Sequence, residues 1–355
     1  MSDAIAGIRL GVAQAGLKLA DQDDLVVVEL PSGTRTAALF TQNAFRAASV
    51  VVAERHLSIS QGQVELLLIN TGNANAGNGA QGIAAAERCC DALADMSSVN
   101  RTQVLPFSTG VIGEPLDANR ISAALPVAIN NLGADNWQRA AAAILTTDTR
   151  PKLRSIEVGV GGKVCRITGM SKGAGMICPN LATMLAFIAT DAEIEQSSLD
   201  TLLRRANSAS FNRITVDGDT STNDAVTLSA TGSSGVRVSA DTHDFAEALT
   251  TLMIELAQDI VRDGEGATKF VEIRVSEGET QEVCEQVART IAHSPLVKTA
   301  LFASDPNWGR IFAAIGRAGL SDLIIDDVSI RLNGTLIAEG GARASSYTEA
   351  QGQRA

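Results

Sequence analysis

"MICPNLATMLAFIATDAE", residues 176–193, joins a loop-like segment holding Pro179 and Asn180 to an apolar run of the kind that fills a sheet core. Thr183 sits where the loop enters that run. A β-branched threonine suits a strand, so its plain reading is a packing residue with its hydroxyl satisfied nearby. Working outward, runs of the same type recur as "LVVVEL" (25–30), "TAALFT" (36–41), "SVVVAE" (49–54) and "VELLLIN" (64–70), and each is read as a strand. Helical spacing of apolar residues marks "GIAAAERCCDALADM" from 82, "NWQRAAAAILT" from 136, "SSLDTLLRRANSAS" from 197, "DFAEALTTLMIELAQDIVRD" from 244 and "TQEVCEQVARTIAHS" from 280. The mixture predicts an α/β (α+β) chain in which sheets are covered by helices.

Composition narrows the functional classes. A chain of 355 residues can form about two domains or one large layered unit. Aromatic residues make up only 3%, so the core has to be built from Ala, Val, Ile and Leu. A formal charge of -11 repels phosphate backbones, and no local basic patch offsets it, which argues against nucleic-acid binding. The first residues lack a basic segment followed by an apolar one, and no apolar run approaches the ~20 residues that span a bilayer. A soluble cytoplasmic protein without a membrane partner is expected. Cys89, Cys90, Cys165, Cys178 and Cys284 are odd in number and form no C-x-x-C pair, so they read as reduced, buried thiols. His56, His243 and His293 show no ligand spacing, which argues against a metal site and against a histidine-based triad.

No proline-rich or serine-rich linker divides the chain and no repeat of fixed period appears, so the halves are expected to pack into one body. The strongest interruption is "GMSKGAGMICPN" (169–180), three glycines and a proline just before the apolar run. Other polar stretches could carry chemistry or be ordinary turns. "NTGNANAGNGAQG" (70–82) follows a strand and opens a helix, the context for phosphate-binding turns, yet it fits neither G-x-G-x-x-G nor a Walker loop. "PFSTGVIGEPL" (106–116) places Ser108, Thr109 and two glycines in a turn that could aim N–H groups at an oxyanion. "TTDTRPK" (146–152) reads as a polar turn, and "VDGDTSTND" (216–224) lacks the spacing and closing glutamate of a calcium loop. Glu265 in "RDGEGATK" (262–269) reads as a turn charge after a helix, and "LVKTALFASDPNWGR" (296–310) couples an apolar run to a polar turn.

Taken in order, "STGVIG" (108–113), "TTDT" (146–149), "KGAGMICPNLATMLAFIATDA" (172–192), "DGDTSTND" (217–224), "EGATK" (265–269) and "VKTALFASDPNWGR" (297–310) resemble the ornithine acetyltransferase family, also called glutamate N-acetyltransferase, of arginine biosynthesis. The resemblance spans nearly the whole chain. It implies a layered sandwich resembling N-terminal-nucleophile hydrolases. It also implies that the precursor cuts itself between Ala182 and Thr183, leaving fragments 1–182 and 183–355. Thr183 then becomes both N-terminus and nucleophile, its α-amino group, with an ordinary pKa of about 7.7 to 8.0, serving as base for its own hydroxyl.

By the same resemblance Thr109 and Gly110 form the oxyanion hole, and Thr146, Lys172, Thr183 and Glu265 contact substrate. The α-carboxylate shared by ornithine and glutamate suits Lys172, and ornithine's cationic side chain suits Glu265. The implied reaction passes acetyl from N-acetylornithine to glutamate through an acetyl-Thr183 ester, in ping-pong order. It needs no cofactor, and acetyl-CoA is a second acetyl donor in some members. A dimer of two-fragment protomers is implied. Family members continue beyond "ARASSYTEA" (342–350) with a tail that helps close the pocket, so its contacts are carried to no residue here. Two other readings stand beside this one: a self-processing aminopeptidase or amidohydrolase of the same fold, which would pass the acyl group to water, and a truncated remnant without catalysis.

Overall fold

The computed structural model describes residues 3–18, 21–178 and 184–355. The chain divides into two compact units, 1–265 and 266–355. Neither a proline-rich nor a serine-rich stretch marks that boundary in the sequence.

The first unit runs β1 (Arg9–Ala13), β2 (Leu25–Glu29), β3 (Arg35–Phe40), α1 (Ala48–Ser60), β4 (Leu66–Asn73), α2 (Gly79–Ser97), β5 (Val104–Val111), α3 (Ala118–Asn130), α4 (Trp137–Ala143), β6 (Lys152–Val160), β7 (Lys163–Lys172), β8 (Leu185–Thr190), β9 (Glu193–Ile194), α5 (Gln196–Ala209), β10 (Ala225–Ala230), β11 (Arg237–Val238) and α6 (His243–Arg262). Two sheets organise it, one in the order β1-β2-β4-β5 and one in the order β3-β10-β8-β7-β6. Alternate residues of each strand face opposite sides. Val26, Val28, Leu67, Ile69, Leu105 and Phe107 of the first sheet share a buried core with Met170, Leu185, Phe187 and Ala189 of the second. Leu25, Val27, Leu66, Leu68 and Val104 instead pack beneath α2 and α3. Ile167, Ala186, Ile188, Val226 and Leu228 pack beneath α5 and α6. The unit is therefore a helix–sheet–sheet–helix sandwich, and β2 and β8 read as nearly unbroken apolar runs because both of their faces are covered.

Between the sheets, the rings of Phe107 and Phe187 meet edge to face with centroids 5.0 Å apart. That contact fixes the end of β5 against β8, two residues before Thr109 on one strand and two after Leu185 on the other.

Two local expectations are corrected. "SVVVAE" lies inside α1, not in a strand: Ser49, Val52, Ala53 and His56 are buried at helical spacing, and that face outweighs the β-preference of three consecutive valines. Residues 106–111 are not a turn but the end of β5, paired in parallel with β4. The stretch 70–82 begins inside the end of β4, which runs to Asn73, and leads into α2, which opens at Gly79. Cys89, Cys90 and Cys165 are buried thiols outside any disulfide, Cys178 is buried and Cys284 is half-buried. Burial pushes the Cys89 thiol up to about 12 and the Cys165 thiol up to about 11.

The second unit contains α7 (Gln281–Ala292), α8 (Pro295–Phe302), α9 (Trp308–Gly316), β12 (Ser329–Leu332), β13 (Thr335–Glu339), β14 (Ala342–Arg343) and α10 (Glu349–Arg354). Its core joins Val287, Ile291, Val297 and Ile315 of the helices to Ile330 and Ile337 of the three-stranded sheet. The polar turn of 296–310 has a local structural task here: Asn307 caps α9 by accepting the Arg310 N–H at 3.0 Å. Among the described residues no helix is long and apolar enough to cross a membrane.

Candidate active site

β7 ends at Lys172, which pairs with Leu185, the first residue of β8. The Lys172 side chain is buried and crosses to the first sheet, where Nζ donates to Thr109 Oγ1 at 3.3 Å. It also donates to Thr146 Oγ1 at 2.7 Å. Three residues singled out in the sequence therefore share one ammonium. Because the Thr109 oxygen accepts from Lys172, its own O–H proton remains available to an acceptor in the site.

Gly110 follows at φ +138°, and a Cβ there would fall 2.3 Å from the Gly72 carbonyl carbon. Only glycine allows the β5 backbone so close to β4. The β4–β5 ladder shifts register at Gly72/Asn73, the kind of irregularity that re-aims backbone groups beside active sites.

Glu265 lies just past the end of α6, its N–H bonded to the Ala174 carbonyl at 2.8 Å. Its carboxylate covers Gly175, where a Cβ would come within 2.6 Å of Oε1. Glu265 is exposed, unlike Lys172, and reaches the cluster through the loop that follows Lys172. Ala182 and Thr183 lie outside the described residues.

The flanks of that position are held by a stretch whose individual residues had no assigned role. Asp217 accepts the Met176 and Ile177 N–H groups at 2.5 and 3.0 Å, supporting Met176 in the left-handed region at φ +58°. Asp224 Oδ1 accepts the Met184 N–H at 3.1 Å. Between them, Asn223 Nδ2 donates to the carbonyls of Ala74 and Ser108 at 2.7 and 2.8 Å, tying the stretch to β5. Asp224 is wholly buried, and its Oδ2 has no hydrogen-bond partner among the described residues. Burial pushes its carboxyl well above the ordinary range, outweighing the Met184 amide.

Beneath the cluster lies a buried set of charges. Asp148 Oδ1 accepts Lys152 Nζ at 2.6 Å and the Gly173 N–H at 2.6 Å, while Oδ2 accepts the Thr146 N–H at 3.2 Å. Lys152 Nζ also donates to Asp263 Oδ2 at 2.7 Å, and Asp263 accepts the Thr149 N–H at 3.0 Å and the Thr149 hydroxyl. Burial works to raise the Asp148 carboxyl, but the Lys172 and Lys152 ammoniums outweigh it and hold it below the ordinary carboxylate range. Burial, with the Lys152 charge, holds Lys172 below the ordinary lysine value against the pull of Asp148. Lys18 stands at the same margin. Its Nζ donates to the Ala143 carbonyl at 3.1 Å, and burial, aided by the Lys172 charge, pushes it down to about 8.

Asp148, Lys152, Asp217, Asp224 and Asp263 all fall within stretches already noted as polar turns. The available signal was that each turn carries an acid or a base that a simple connection does not need. Chemically, the arrangement offers a cation, two hydroxyls and a tightly apposed glycine backbone at the mouth of a buried strand, a set suited to stabilising a developing oxyanion.

The ArgJ family model matches residues 9–355. Arginine biosynthesis bifunctional proteins ArgJ from Pseudomonas syringae pv. tomato and from Methylococcus capsulatus are 50% and 52% identical to this chain, each over 98% of it and 86% of their own length. A solved ornithine acetyltransferase from Mycobacterium tuberculosis, complexed with ornithine, is 28% identical and aligns over 51% of this chain and 95% of its own with a TM-score of 0.44.

Proposed function

The chain belongs to the ArgJ family and is an acetyltransferase of arginine biosynthesis, and from that premise we propose that it moves the acetyl group of N-acetylornithine to glutamate through an ester on Thr183. The observation that carries this reading is the buried Lys172 ammonium, which joins Thr109 to Thr146 beside the first residue of β8, two residues past Thr183.

In the proposed sequence the Thr183 hydroxyl first attacks the Ala182 carbonyl carbon. The acyl group moves from nitrogen to oxygen, so the amide becomes an ester and the Thr183 α-amine is freed, and water then cleaves the ester to release the Ala182 carboxylate and restore the Thr183 hydroxyl. That amine then takes the hydroxyl proton while Thr183 Oγ1 attacks the acetyl carbonyl of N-acetylornithine. The resulting oxyanion is met by the Thr109 hydroxyl and the Gly110 N–H. Collapse expels ornithine, whose amine receives the proton, and glutamate's amine attacks the acetyl ester in turn. Lys172 faces the α-carboxylate common to both amino acids, and Glu265 faces ornithine's side-chain ammonium. No cofactor enters this scheme, and acetyl-CoA would serve as an alternative acetyl donor. The working form is a cytoplasmic dimer of protomers, each made of fragments 1–182 and 183–355.

Intact mass of purified protein, together with ornithine release from N-acetylornithine, tests the scheme. Two fragments meeting at Ala182 and Thr183 are expected, and Thr183→Ala should stay one chain. An uncut, folded wild type, or acetate release that proceeds equally with and without glutamate, would transfer the assignment to another reaction class.

A further inference from the structure

We propose that Asp148 is a positioning residue for acetyl transfer, keeping the Lys172 side chain charged and aimed at Thr109 and Thr146; the proposal rests on the functional reading above. Its geometry is that of a hub. One oxygen takes the backbone N–H of Gly173, next to Lys172, and the other takes the backbone N–H of Thr146, whose hydroxyl Lys172 bonds. Asp148 thus fixes both ends of the Lys172–Thr146 hydrogen bond without joining it. Its Oδ2 lies 4.0 Å from Lys172 Nζ, too far for a hydrogen bond and close enough for strong charge attraction where water is excluded.

The remaining charges around Lys172 do not replace it. Lys152 and Lys18 repel the ammonium. Asp224 and Glu265 also draw the ammonium, each more weakly than Asp148, since burial pushes the Asp224 carboxyl well above its ordinary range and Glu265 is exposed and therefore screened. Asp263 is engaged with Lys152 and Thr149. Asp148 is the buried, ionised counter-charge that faces Lys172. Lys152 and Asp263 complete a set of two cations and two anions whose charges cancel only together.

The test uses the full chain carrying Asp148→Asn and two readouts. The pH profile of kcat/KM for N-acetylornithine should lose its alkaline limb about one to three pH units lower than wild type, because an opposite charge at this range shifts a titration by that amount. The sign follows from the chemistry: Lys172 acts as a cation, and removing the anion makes it lose its proton at lower pH. The second readout is the ε-carbon resonance of Lys172 in protein labelled with carbon-13 lysine, assigned by its absence in Lys172→Met, which should titrate lower by the same amount. Asp263→Asn, which leaves the counter-charge of Lys172 in place, should destabilise the protein without moving the limb.

An unmoved Lys172 titration in folded Asp148→Asn, or an equal displacement by Asp263→Asn, overturns the proposal. Should Asp148→Asn fail to fold, the decision passes to the Lys152→Met background, where adding Asp148→Asn must still lower the Lys172 titration. An unchanged value there overturns the proposal as well. Absence of transfer by wild type would defeat the functional reading alone, since the resonance reports on Asp148 without any turnover.

Discussion

Asp224 is buried with one oxygen on the Met184 amide and the other without a partner among the described residues, so its carboxyl holds its proton far into the range where carboxyls normally ionise. A raised folded pKa contributes stability that is complete below the unfolded value and is lost as pH rises toward the folded one, at up to about 1.4 kcal/mol per pH unit. Asp224→Asn keeps an acceptor for Met184 and cannot ionise. Its stability relative to wild type should therefore improve in denaturant melts as pH rises above the ordinary carboxyl range, and a difference that stays constant with pH would refute the raised carboxyl. Thr109 makes a sharper kinetic prediction. Thr109→Ala should lower kcat by about 10²- to 10³-fold with little change in KM, while Thr109→Ser, which keeps the hydroxyl, should retain most of the rate. A kcat unchanged in Thr109→Ala would make that hydroxyl a plain partner of Lys172. Thr109, Thr146 and Lys172, which meet in the structure, were singled out because they stand in motifs. Asp148 and Lys152 were not singled out, because a buried ion pair four residues apart reads in sequence as a solvated turn and only tertiary burial distinguishes the two.

At the scale of elements, two glycines with similar surroundings in sequence should respond differently to the same change. Gly110→Ala would drive a methyl into the backbone of β4, where nothing can yield, and should destabilise the unit by about 1–3 kcal/mol or more. Gly175→Ala would meet only the end of the Glu265 side chain, which can swing aside. That variant should keep its melting temperature and raise KM for N-acetylornithine several-fold, an effect on the order of 1 kcal/mol. A Gly175→Ala protein with unaltered KM would separate Glu265 from substrate binding. The strands that were legible, β2, β4 and β8, are short and apolar on both faces. α1 was misread because Val50, Val51 and Val52 mimic a strand over six residues, and its helical face becomes evident only when extended to His56. The end of β5 was misread because Ser108, Thr109 and Gly110 carry turn chemistry inside a ladder.

At the scale of the molecule, the layered α/β architecture followed from the alternation of runs and helical segments, whereas the boundary at 265/266 had no compositional trace. Glu265 and Gly266 belong to one motif and fall on opposite sides of it. A cut between residues 182 and 183 would fall elsewhere, inside the first unit. The sheet order β3-β10-β8-β7-β6 then alternates origins: β3, β7 and β6 come from the upstream piece, and β8 and β10, paired between them, come from the downstream piece. The pieces should therefore migrate as one species under native conditions and as two in denaturant, and spontaneous native separation would contradict this sheet order. The interleaving also changes the molecularity of recovery after damage. An uncut chain can refold alone at any dilution, but two cut pieces must first meet, so regain of structure becomes second order and fails at low concentration. Heating and cooling dilute samples should restore the folded structure of Thr183→Ala and leave processed protein unfolded, with the difference vanishing as concentration rises. The precursor's single chain is thus a template that is used once, and what survives afterwards is held by its barrier to unfolding.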